Sequence, residues 1–188
     1  RSRVGWAMRI IAGSAGSRAL SAPKGVTIRP TADRVREALF ASLADRTIDC
    51  RFGDLYAGSG SVGLEALSRG AAWCVFVERD PRCLQAVRAN LAATGLSERA
   101  EVIRGDVLTQ IEPAWERGPL DVVFMDPPYR ESAEPLLRLV LRLARDARHD
   151  CLAVVECERG MEPALAPNKE KSYGRTKLLY YEAAECSP

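Results

Sequence analysis

A strand-like run from Phe52 to Tyr56 turns through Ala57-Gly58-Ser59-Gly60-Ser61-Val62-Gly63 into a helix, and few architectures admit such a stretch. Glycines at that spacing let the backbone double back tightly and bring main-chain N–H groups at the head of the helix close to a bound nucleotide. Leu64, Ala66 and Leu67 pack inward until Gly70 ends the helix. The alternation then continues. Trp73 to Val77 is a second buried strand with Glu78 at its carboxyl end, and Asp80 caps a helix that opens on Pro81 and stops near Gly95. Ala100 to Arg104 is a third strand, closed by Gly105-Asp106 and followed by a helix from Val107 to Glu116. Leu120 to Met125 is a fourth, and a helix from Ser132 to Arg145 with a strand from Leu152 to Glu156 completes a fifth unit. Strands separated by helices in this way predict an α/β, Rossmann-like, doubly wound and mostly parallel sheet.

The tail departs from that rhythm. Gly160 to Lys171 has no helical period and is too short for a helix and a strand together. Lys177 to Tyr181 reads as an antiparallel addition entering through a Tyr173-Gly174 turn, so six strands are legible.

The fourth strand stops at Asp126-Pro127-Pro128-Tyr129. Two prolines exclude helix and fix a stiff loop, leaving an acidic and an aromatic side chain at a strand's carboxyl end, where open α/β sheets bind ligands. Such a loop suits attack by a planar, conjugated amine. The amine's lone pair is delocalised into its ring until acceptors draw its hydrogens out of plane; the Asp126 carboxylate and the Pro127 carbonyl are candidate acceptors, and Tyr129 can stack on the ring.

Gly58-x-Gly60-x-x-Gly63 with Glu78 twenty residues after Gly58 matches a dinucleotide fingerprint. It equally matches a site for S-adenosylmethionine, because in both a carboxylate at the second strand's end accepts from ribose hydroxyls. The two differ at the turn. A dinucleotide sets its pyrophosphate over the helix N-terminus, where the acidic Asp54 is unwelcome, whereas a methionyl ammonium group suits Asp54. Asp106, at the third strand's end, is a candidate acceptor for an adenine amino group.

Composition narrows the remaining classes. The chain has 188 residues, 47% hydrophobic and 28% charged, enough for one domain with its own core and a small appendage. Without a membrane-spanning run or a signal segment, it reads as cytoplasmic and off the membrane. Cys50, Cys74, Cys83, Cys151, Cys157 and Cys186 form no Cys-x-x-Cys pair, and His149 is the lone histidine, so the cysteines read as free structural thiols with no metal. Net charge is +2, but Arg1, Arg3, Arg9, Arg18, Lys24, Arg29, Arg34 and Arg36 face one acidic residue, Asp33, leaving 19 basic against 24 acidic residues beyond. A basic arm on a near-neutral body is a handle for a polyanion. Residues 1–7 precede Met8 and are set aside as an extension. Met8 to Ala12 and Ala19 to Ala22 suggest a small hairpin carrying Arg9, Arg18 and Lys24. Thr31 then caps a helix with Val35, Leu39 and Leu43 on its apolar stripe, and Asp33, Arg34 and Arg36 on a solvated face. The boundary is drawn between a basic extension, 1–30, and a main domain, 31–188.

Together these motifs resemble the class I S-adenosylmethionine-dependent methyltransferases: the turn from Asp54 to Glu65, then Glu78, Gly105-Asp106 and Asp126-Pro-Pro-Tyr129, a variant associated with amino-group methylation. Arg9-Ile-Ile-Ala-Gly13 and the string from Arg29 to Phe40 are similar to the RsmD family, bacterial enzymes that methylate the guanine N2 amine of one 16S ribosomal RNA nucleotide. The resemblance runs from Met8 to Glu182. It implies a seven-stranded sheet with its last strand antiparallel, and small-subunit ribosomal RNA or an assembling 30S particle as substrate; the chain itself is read as a monomer. It implies that Asp54, Gly58, Gly60, Glu78 and Asp106 hold S-adenosylmethionine, that Asp126, Pro127 and Tyr129 hold and polarise the guanine amine, and that the arm of Arg9, Arg18, Lys24, Arg29, Arg34 and Arg36 grips RNA. A DNA or RNA adenine-N6 methyltransferase, an NAD-linked oxidoreductase and a non-catalytic RNA-binding protein are the competing expectations.

Overall fold

The computed structural model describes residues 8–23, 25, 31–128 and 132–183. Seven strands among them form one sheet: β1 (Arg51–Leu55), β2 (Trp73–Glu78), β3 (Ala100–Arg104), β4 (Val122–Met125), β5 (Leu152–Glu158), β6 (Lys169–Tyr173) and β7 (Thr176–Glu182), ordered β3-β2-β1-β4-β5-β7-β6. β1 to β5 are mutually parallel, and β7 pairs antiparallel with both β5 and β6. The helices are α1 (Asp33–Leu43), α2 (Ser61–Ser68), α3 (Pro81–Thr94), α4 (Val107–Glu116) and α5 (Glu134–Asp146). None of them is long and apolar enough to cross a membrane.

Alternation along each strand builds two cores. Phe52, Cys74, Phe76, Phe124 and Val154 face α1, α2 and α3, while Val75, Val77, Val123, Met125 and Val155 face α4 and α5. The chain winds outward from β1 toward β3 with helices on the first face, then returns to β4 and β5 with helices on the second. The reversal falls between β1 and β4, so a crevice opens there at the carboxyl ends of the strands.

β6 supplies the sixth strand, which the residues before Ser172 left open, and brings the sheet to the seven strands that the resemblance implies. Its Lys-Glu-Lys-Ser-Tyr sequence is mostly polar because it is an edge strand bonded only to β7, with little apolar surface to bury. The N-terminal segment does fold back on itself. Arg9 and Ala19 form an antiparallel bridge, Ile10 N–H donates to Arg18 O (2.9 Å) and Leu20 N–H to Met8 O (2.7 Å).

Two expectations about α1 fail. Thr31 does not cap it: the Thr31 hydroxyl donates to Glu156 Oε2 (3.0 Å), and Ala32 stands at the N-cap with no side-chain bond. Arg36 is not on a solvated face. It is 0% exposed, and its guanidinium donates to Arg9 O (2.6 Å), Asp33 Oδ1 (3.0 Å) and Thr31 O (3.4 Å).

Candidate functional site

Strand register assembles the site. Leu55 of β1 pairs with Val77 of β2 on one side and Met125 of β4 on the other. The next residues, Tyr56, Glu78 and Asp126, therefore end three adjacent strands. Glu78 is the hub. Its Oε2 accepts from Gly58 N (2.9 Å), and its Oε1 accepts from Arg79 N (2.8 Å) and Asp80 N (2.9 Å). A carboxylate holding three backbone donors is fixed in place before any ligand arrives. Gly105 N–H donates to the Glu78 carbonyl (3.1 Å), which ties the end of β3 to the same point.

The turn itself needs glycine. Gly58 and Gly60 sit in the left-handed region at φ +54° and +76°. Gly63 is required for another reason: a Cβ there would lie 2.4 Å from the Phe76 ring and 2.7 Å from Cys74 Sγ, so α2 packs this closely on β2 only without a side chain. Tyr56 shares the left-handed conformation, at φ +65°, without glycine's freedom. A strained aromatic residue at the mouth of the crevice is a site feature that sequence did not disclose.

Asp54 lies beneath the turn, 2% exposed, with Oδ2 accepting from Gly63 N in the first turn of α2 (2.9 Å). It braces the head of α2 from below. Burial raises its carboxyl pKa from 3.8 to about 7 against the lowering effect of the Gly63 N–H, and nearby Glu78 adds to the rise. The folded state therefore holds this proton more tightly than the unfolded chain does. The stability involved is fully present below pH 3.8 and is lost as pH rises through about 7. Asp54→Asn keeps an oxygen for Gly63 N–H and removes the buried charge. The unliganded variant is expected to gain on the order of 2–4 kcal/mol over the parent at pH 8 and almost nothing at pH 4. Thermal melts at both pH values check this, and equal melting of the two proteins at pH 8 would contradict it.

Asp106 is exposed and caps α4, its Oδ1 accepting from Leu108 N (2.9 Å). Asp126 and Pro127 are half-buried where β4 ends. Tyr129 lies outside the described residues, as do Lys24 and Arg29 of the basic arm. Arg9, Arg18 and Arg34 are exposed, and Arg18 Nη1 donates to Ala93 O (2.8 Å) at the end of α3. Arg36 leaves the list of candidate RNA contacts, because its guanidinium is enclosed by protein.

No group of three or more potential metal ligands occurs among the described residues. Cys83, at the head of α3, is buried, and burial with the negative charges of Glu78 and Asp80 pushes its thiol up to about 11. Burial likewise pushes Cys50 and Cys151 up to about 12. At neutral pH these are protonated packing groups and not nucleophiles.

Three comparisons bear on this geometry. The family model described as Conserved hypothetical protein 95 matches residues 8–182. The Escherichia coli protein named ribosomal RNA small subunit methyltransferase D is 40% identical over 184 residues, spanning 93% of this chain and 89% of that one. A solved structure of a putative methyltransferase from Escherichia coli superposes with a TM-score of 0.74 and 35% identity, covering 94% of this chain and 97% of the other.

Proposed function

We propose, from the premise that this chain belongs to the Conserved hypothetical protein 95 family, that it transfers a methyl group from S-adenosylmethionine to the exocyclic N2 amine of a guanine in small-subunit ribosomal RNA. One observation carries the reading. Glu78, pinned by the glycine turn, and Asp126, followed by two prolines, flank β1 on either side at the point where the sheet reverses direction.

The turn fits a sulfonium nucleoside better than a dinucleotide. The head of α2, where a pyrophosphate would need free N–H groups, already gives Gly63 N–H to the buried Asp54 carboxylate. A second anion there would push Asp54, which titrates at about 7 when alone, further toward its protonated form, whereas a methionyl ammonium group draws it to the carboxylate and meets attraction. In this reading Asp54, Gly58, Gly60, Glu78 and Asp106 hold the cofactor, with the Glu78 carboxylate accepting from the ribose hydroxyls. When bound, S-adenosylmethionine supplies an electrophilic methyl on a sulfonium leaving group. The chain itself supplies alignment. The Asp126 carboxylate and Pro127 carbonyl accept the two amine hydrogens and turn the nitrogen lone pair toward the methyl, while Tyr129 stacks on the base. No strong base is needed, since the amine becomes acidic once it is methylated and charged.

Arg9, Arg18 and Arg34 serve as phosphate contacts that position RNA without reading its sequence. The reading extends to a cytoplasmic monomer acting on ribosomal RNA or an assembling 30S particle.

Titration calorimetry with S-adenosylhomocysteine and with NADH tests the cofactor. The expected result is micromolar binding of the first and none of the second; the reverse would return the turn to the oxidoreductases. Glu78→Ala is expected to weaken S-adenosylhomocysteine about 10–100-fold, because a charge-assisted contact and the preset turn are lost together. Unchanged affinity would exclude Glu78 from the site.

A further inference from the structure

Ser59 stands between the two left-handed glycines of the turn, and it is held from behind by residues that none of the motifs includes. Asn90, on α3, is 2% exposed and donates through Nδ2 to Ser59 O (3.2 Å). The same Nδ2 donates to Ser21 O (3.1 Å), while Asn90 Oδ1 accepts from Ser21 N (2.8 Å). One amide orientation satisfies all three bonds, since the two carbonyls need a donor and the N–H needs an acceptor. Met8 completes the wall: its Sδ accepts from Ser59 Oγ (3.6 Å). Met8 and Ser21 bracket the folded-back segment that carries Arg9 and Arg18, and Leu20 N–H to Met8 O closes it (2.7 Å).

We infer that Asn90 is a positioning residue for the cofactor turn, and that through it the N-terminal segment and the turn are coupled. The inference rests on reading the turn as the S-adenosylmethionine site. Asn90 is too buried to meet a ligand itself; it fixes the Ser59 carbonyl, and so the Ser59–Gly60 peptide plane, within the same turn that presents Gly58 N–H to Glu78. A buried side chain bonded to both parts carries strain between them, because neither Ser59 nor Ser21 can move without breaking one of its bonds. Whatever rigidifies the turn therefore also rigidifies the segment behind it, and the coupling is reciprocal.

Amide hydrogen exchange on the intact wild-type chain, with and without saturating S-adenosylhomocysteine, reads this directly. The ligand is expected to slow exchange at the amides of 58–63 and also, several-fold, at Ser21. Slowing at the turn with no change at Ser21 would overturn the coupling and leave the cofactor site standing, whereas no slowing at either place would overturn both. Steady-state kinetics of two variants tests the positioning role. Asn90→Ala removes all three bonds and is expected to raise KM for S-adenosylmethionine about tenfold, more than it lowers kcat, because the one bond that holds the cofactor turn is the bond to Ser59 O. Asn90→Asp keeps the acceptor for Ser21 N–H but turns an oxygen toward the Ser59 carbonyl, so its KM should rise at least as far. If Asn90→Asp instead kept a wild-type KM while Asn90→Ala did not, Asn90 would merely tether the segment, and the positioning role would be wrong.

Discussion

Asp126→Ala is expected to lower kcat by about 10²–10³-fold while changing S-adenosylhomocysteine affinity no more than about threefold. The asymmetry follows from where Asp126 stands. It ends β4, on the far side of β1 from Glu78, so the turn, Glu78 and Asp106 keep their bonds when it is shortened. What disappears, on the proposed reading of the site, is an acceptor placed in advance for the amine. A conjugated nitrogen must give up ring delocalisation to attack, and an acceptor that draws its hydrogens out of plane lowers the barrier only as the bond forms. The effect should therefore fall on kcat and spare ligand binding. Single-turnover kinetics and calorimetry on one preparation check both halves. An unchanged kcat would remove the amine-polarising role, and a lost ligand affinity would show that Asp126 shapes the turn instead.

Glu65→Ala is expected to destabilise the fold by about 3–5 kcal/mol, seen as a Tm fall of roughly 10 °C or more. Glu65 is 0% exposed at the centre of α2. Its carboxylate accepts from Ile11 N (2.7 Å), Ala12 N (3.0 Å) and Arg69 Nε (2.7 Å). Arg36 Nε, also fully buried, lies 3.7 Å from Glu65 Oε2, too far for a hydrogen bond but close enough for strong attraction in a dry interior. Removing Glu65 strands two backbone donors and leaves the guanidinium with its charge only partly balanced. The exposed Arg138–Glu134 pair (2.9 Å) offers the contrast, since Glu134→Ala should cost no more than about 1 kcal/mol. Urea unfolding of both variants separates the cases, and similar small losses would deny the buried pair its structural weight.

The contrast between those pairs shows what the sequence could and could not disclose. Val122 to Met125 and Trp73 to Val77 are apolar on both faces, and only a central parallel strand buries such a run, so the sheet core was legible. The glycine turn and the acidic residues at strand ends were legible for the same local reason. Arg36 was not. Its place on α1 reads as solvated until Glu65, far along the chain, arrives beneath it. Thr31 likewise has ordinary cap chemistry, and only the fold brings Glu156 within reach of its hydroxyl. Asn90 looks like one more polar residue on an amphipathic helix. Its partners Ser21 and Ser59 are 69 and 31 residues away, and nothing local marks a buried amide that bridges two loops. The residues of β6 left that strand open because an edge strand needs little apolar surface, and Tyr56 gave no signal because a positive φ is set by the turn it enters and not by its own preference.

The most direct trial is to give the purified protein labelled S-adenosylmethionine with small-subunit particles, naked small-subunit RNA and duplex DNA, and to identify the labelled nucleoside by mass spectrometry after digestion. The expected product is N2-methylguanosine, from ribosomal RNA or its particle alone. N6-methyladenine, or label in DNA only, would contradict the assignment of the amine that Asp126 presents.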